Sequence, residues 1–181
     1  MDGGVVMHII KVGFWSILAI VLLQSSAAAS EDPGGWTKAK WGMTDAQIEA
    51  AFPGQVRHYE KPAAWDSGMY ADIYIPHVKV GSDSFEARFQ MDGSTKKLVQ
   101  VVLTKEGKDA SFASLDAVED MLATKYGPPS ETHKSQTTVK GMEYDWTFPT
   151  TRIAASYTDL FVAKLLIINY RQRSTAGSPN L

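Results

Sequence analysis

Glu143 and Asp145 stand two residues apart in a segment, Met142 to Phe148, that alternates apolar and polar side chains. On a β-strand that spacing puts both carboxylates on one face. Two carboxyls straddling a bond are what glycoside hydrolysis requires. Arg152 follows across a short turn and is placed to neutralise one of the pair. A solvated sheet face with cross-strand ion pairing is the simpler reading, and an envelope hydrolase using Glu143 and Asp145 the more demanding one.

Other reactive residue types are scattered. His58, His77 and His133 lie far apart, with none of the close spacings of zinc motifs. They read as surface or turn residues. Gly81-Ser82-Asp83-Ser84 is not the G-x-S-x-G elbow and falls in a loop between strands. No phosphate-binding loop, dinucleotide fingerprint or calcium loop is present. Asp92-Gly93-Ser94 lacks the acidic ligands that would have to follow it, and reads as a hairpin turn. Asp116, Glu119 and Asp120 read as the outward face of a helix. The expectation is a protein that is not an enzyme, with no catalytic residue, metal ligand or cofactor.

Aromatic residues are the better candidates. Tyr144, Trp146 and Phe148 form a period-two stripe, and Tyr70 and Tyr74 a second. Such a stripe is ordinarily core beneath helices. On a helix-free face it would anchor a partner instead. Trp65, in the loop Lys61 to Gly68, is the single residue best suited to an exposed anchor. Trp65, Tyr144 and Trp146 are therefore the candidate binding residues.

These residues need elements to hold them. Thr44 and Gln47 match a capping box, and Met43 with Ile48 a hydrophobic staple, so a short helix starts there and stops at Pro53-Gly54. Met69 to Ile75 reads as an edge strand ending before Pro76. Ser84 to Met91 and Leu98 to Thr104 form an antiparallel hairpin around Asp92-Gly93. A second helix, Ser111 to Tyr126, carries Phe112, Leu115, Leu122 and Tyr126 on one side and ends at Gly127-Pro128-Pro129. Three further strands follow: Met142 to Phe148, Arg152 to Thr158, and Lys164 to Arg171.

At the N-terminus, Lys11 precedes the apolar run Val12 to Leu23, and Ala27-Ala28-Ala29 follows. Charge, apolar core and small residues in that order predict a secretory signal, cleaved near Ser30. The run is shorter than the ~20 residues a membrane span needs, so no stable membrane insertion is expected after cleavage. The chain has 181 residues, no cysteine and a formal net charge of −2. Disulfides and thiolate metal sites are excluded, and no basic excess points to nucleic acid. The expected organisation is a signal peptide over 1–29, a flexible leader over 30–40, one α+β domain over 41–171 and a disordered tail over 172–181. The domain divides into 41–108 and 109–171, each a helix followed by an antiparallel meander. Both meanders form one sheet with the helices packed on one face.

Trp41-Gly42-Met43-Thr44, the helix after it and the Tyr126-Gly127-Pro128-Pro129 stop resemble bacterial envelope domains of the β-lactamase-inhibitor-protein-like and outer-membrane-assembly (BamE/SmpA-like) plan. That resemblance implies binding of other proteins rather than catalysis. Its lipoprotein members carry an acylated cysteine, which this chain lacks. The expected function is an exported, periplasmic or secreted module whose partner is another envelope or extracellular protein. A small apolar-ligand carrier, with a pocket between sheet and helices, is the alternative.

Overall fold

The structure is a computed structural model that describes residue 1 and residues 31–105, 107, 109–136, 140–160 and 162–173. Apart from Met1, the expected signal segment lies outside the described residues, as does the tail from 174 onward.

A two-stranded hairpin, β1 (Gly35–Trp36) and β2 (Ala39–Lys40), leads into α1 (Asp45–Ala51). Then come β3 (Arg57–Ala64), β4 (Met69–Val80), β5 (Asp83–Asp92) and β6 (Leu98–Lys105). The second half comprises α2 (Phe112–Tyr126), β7 (Glu131–Gln136), β8 (Lys140–Thr147), β9 (Thr151–Asp159) and β10 (Lys164–Gln172). The eight long strands form one sheet in the order β3-β4-β5-β6-β10-β9-β8-β7, and its pairings are antiparallel. The protein is α+β, dominated by this sheet.

Local chemistry explains both helices. The Thr44 hydroxyl accepts from the Gln47 N–H, and the Gln47 side chain accepts from the Thr44 N–H at 2.9 Å. Each bond satisfies a donor that the first turn leaves unpaired. Ser111 caps α2 by accepting from the Ser114 N–H at 3.1 Å. Gly127 ends α2 at φ 80°, a conformation that costs glycine nothing.

One face of the sheet carries the core. Ile75 pairs with Ala87, Ala87 with Leu103, Leu103 with Ile168 and Ile168 with Ala155. Phe89, Val101, Tyr170, Ile153 and Trp146 form the parallel row beside them. Cross-strand partners share a face, so these two rows lie on the same side. Ile48 and Phe52 from the first helical segment join the same core as Leu115, Val118, Leu122 and Tyr126 of α2. Both helices therefore cover one face.

The structure adds β3 and β7, which no expected strand covered, and differs from expectation in three further places. Residues 35–40 are no flexible leader: Trp36 and Ala39 are buried in the core, and Trp36 stacks on Phe52 with ring centroids 5.8 Å apart. Ahead of them, Asp32 accepts from the backbone of Gly34 at 3.0 Å and of Thr150 at 2.5 Å. Second, β4 is an inner strand that runs through Pro76. A register shift between Ile75 and Val78 places one extra residue opposite β5, and that bulge absorbs the N–H that proline lacks. The edge strands are β3 and β7. Third, Gln172 belongs to β10, and Arg173 beyond it donates to the carbonyls of Thr150 and Phe148.

Candidate functional site

The residues between the core positions point away from the helices. Down the middle of that face run Val102, Asn169 and Ala154 in one cross-strand row and Thr104, Ile167 and Ser156 in the next. These are short or neutral side chains. Apart from Arg171, which stands between Gln100 and Arg152 in the adjoining row, charged groups gather on either flank.

On the β7–β9 flank, Glu143 and Asp145 do share a face, as their spacing requires. The tight β8–β9 connection sets Arg152 opposite Thr147, beside Asp145. Arg152 Nε donates to Asp145 Oδ1 at 2.7 Å, and Nη2 donates to Glu143 Oε1 at 3.1 Å. The edge strand adds Glu131 opposite Asp145 and His133 opposite Glu143. His133 Nε2 lies 3.2 Å from Glu131 Oε2 and 3.5 Å from Asp145 Oδ2. Asp145 is buried, 2% exposed, and its Oδ2 has no hydrogen-bond partner among the described residues. Burial first, and then the Asp145 charge, push the Glu143 carboxyl above its ordinary range against the pull of Arg152. The hydrogen bond to Asp145 is the main cause holding the Arg152 guanidinium above its own. One cation thus ties two carboxylates together, and neither projects alone toward solvent.

The β3–β5 flank is aromatic. Tyr59 and Tyr74 stack with centroids 4.4 Å apart. The Tyr59 hydroxyl donates to Glu86 Oε1 at 2.6 Å and accepts from Arg88 Nε at 3.0 Å. Arg88 also donates to Glu86 at 3.2 Å, and its guanidinium carbon lies 5.6 Å from the Tyr59 ring centroid. Burial, then the bond to Glu86, raise the Tyr59 phenol to about 12. The group is a fixed platform of two rings and one guanidinium.

The candidate anchors fall elsewhere. Trp146 is a core residue, 1% exposed, whose indole N–H donates to the Gly127 carbonyl at 2.8 Å. Its alternation put it on the covered face, so it is no exposed anchor. Phe148 packs edge-on against Tyr126 on the same side. Tyr144 is half-buried beside α2. Burial, and after it the charges of Asp116 and Glu119, raise its phenol, so these two carboxylates face the sheet margin rather than solvent alone. Trp65 is half-buried at the β3–β4 turn, where its backbone N–H donates to the Met69 carbonyl at 3.0 Å. Tyr70 and Tyr74 part company at a register shift in β4. Tyr70 turns to the helix side and donates to Asp45 at 3.2 Å, while Tyr74 joins the open face.

The histidines serve different strands. His58 bridges Glu49 of α1 at 3.2 Å and Asp72 of β4 at 3.3 Å. Among the described residues no group of three histidine, cysteine or carboxylate side chains is disposed to hold a metal ion, and no helix is long and apolar enough to cross a membrane.

No family model matches the chain, and no curated protein matches it. Among solved structures it is similar to a DUF4309 family protein (YjgB) from Bacillus subtilis subsp. subtilis str. 168, with a TM-score of 0.39 and 13% sequence identity over 72% of this chain and 78% of that one.

Proposed function

We propose that this chain is an exported, non-enzymatic binding module that docks another protein through the helix-free face of its sheet. The observation that carries the proposal is the Tyr59–Tyr74–Arg88 platform on that face. Antiparallel sheets commonly leave one face to water, so openness alone argues little. Tyrosine and arginine are the residue types that dominate binding energy in interfaces, and rings already stacked lose little freedom on docking. The resemblance to envelope binding domains supports the same reading. For export, the support is Lys11, the Val12–Leu23 run and the alanines that follow. N-terminal sequencing of the mature protein should begin at or near Ser30; a chain still starting at Met1 or Met7 would sink the export reading.

A photo-crosslinker at Tyr74, in the chain's own envelope or secreted fraction, tests the docking face. The expected result is a discrete adduct that Arg88→Glu abolishes and that a crosslinker at Met121, on α2, does not produce. Adducts formed equally from Met121, or indifferent to Arg88→Glu, would refute it.

We infer also that the two halves arose by duplication. Each is a helix followed by a four-stranded meander, and the sheet order mirrors one half onto the other about the β6–β10 seam. Superposing 44–105 on 111–172 checks this; helices that fall on different strands after the strands are matched would end it.

A further inference from the structure

A cleft of about 610 Å³ opens between the β1–β2 hairpin, the segment after α1 and the middle of β4. Its floor is apolar, made by Trp36, Phe52 and Ile75, which belong to the core. Its rim is cationic: Lys38, Arg57 and Lys79, all exposed, line it together with His77. None of the residues lining it is acidic. That is a local excess of positive charge in a chain whose net charge is −2, over a floor that water solvates poorly.

The backbone around the cleft is strained. Three non-glycine residues among those described have positive φ, and two of them, Thr37 at 50° and His77 at 58°, line this cleft. Thr37 opens the two-residue turn between Trp36 and Ala39, where glycine is the ordinary occupant. A β-branched residue there is an outlier. His77 sits in the β4 bulge, a device that re-aims a side chain. Two independent elements hold costly conformations at one concavity, and such strain gathers where a ligand is clamped.

We propose that this cleft binds a small organic anion: an apolar body laid on Trp36, Ile75 and Phe52, with its carboxylate or equivalent head met by Lys38, Arg57 and Lys79. The site lies at the end of the sheet where β4 runs past the start of β3, and it does not depend on the docking reading.

The test is an NMR titration of the mature chain with 1-naphthoate and with its neutral isostere, 1-naphthamide. Saturable one-to-one shifts are expected at Thr37, Lys38, His77 and the Trp36 indole, with the amide binding several-fold more weakly, as the loss of exposed ion contacts gives. Lys38→Ala with Lys79→Ala should weaken naphthoate and leave naphthamide unchanged. Thr37→Gly should raise the melting temperature while weakening naphthoate, because the strain serves the ligand. Equal affinity for the two probes, shifts centred elsewhere, or no saturation in the millimolar range would overturn the proposal. So would a Thr37→Gly chain that melts no higher and binds unchanged.

Discussion

Over strands β3–β6 the helix is α1, seven residues long; over β7–β10 it is α2, fifteen residues long; the β1–β2 hairpin sits between them, its β1 strand against β6 and β10. At ~1.5 Å per residue those helices span about 10 Å and about 22 Å. The shorter one leaves apolar sheet bare, and Trp36 fills the gap, its ring within 5.8 Å of Phe52 and 5.9 Å of Phe89 by centroid. A helix too short to cover its half of a sheet must recruit other chain to finish the layer. Here the recruit is a segment whose composition reads as linker.

That comparison is sharpened most by removing the recruit. A chain starting at Trp41 should lose cooperative unfolding by calorimetry, because Phe52 and Phe89 lose their aromatic lid; a sharp transition near the parent temperature would show that α1 suffices. Next in size, Trp146→Ala should cost about 3–5 kcal/mol in urea titration, the range for truncating a fully buried aromatic. Trp36→Ala, nearer the surface and 7% exposed, should cost less, and equal costs would break the asymmetry. Smaller again is Thr44→Ala, which should cost about 1 kcal/mol. Ser111→Ala should cost less than that, since the longer helix is held by four buried side chains and its cap lacks the reciprocal bond.

The smallest effect concerns the charged flank. Glu143 has its carboxyl raised in the folded state, so its favourable contribution is complete below the unfolded value near 4.5 and is lost as pH rises through the folded one. Glu143→Gln should therefore melt slightly higher than the parent at pH 7, with the gap closing near pH 4. A gap of the opposite sign at pH 7 would mean that the bond to Arg152 outweighs burial.

Elements with a full local signal were legible in the sequence. The capping box at Thr44, the Asp92-Gly93 turn and the α2 stop at Gly127 each rest on residues a few positions apart. What escaped depends on distant partners. β3 and β7 are edge strands, mostly polar (RHYEKPAA and ETHKSQ), so no alternation marks them. With β3 hidden, the Tyr59–Arg88 pairing was hidden too. The Arg152 ion pair, by contrast, follows from parity across one turn and was read from Glu143 and Asp145. The anchors went astray because period two gives two faces without saying which is covered; only the pairing of Trp146 with Ile153 decides that. Bulges in β4 erased a third inference: they separate Tyr70 from Tyr74 and let the strand pass Pro76.

The join between β6 and β10 carries a consequence for folding. The strand made last among the ten occupies the middle of the sheet, flanked by β6 and β9. Until it is placed, β6 and β9 have no neighbour on the sides that β10 will join. Assembly is therefore withheld to the final strand, and a chain cut short ahead of Lys164 would present both borders to whatever lies nearby.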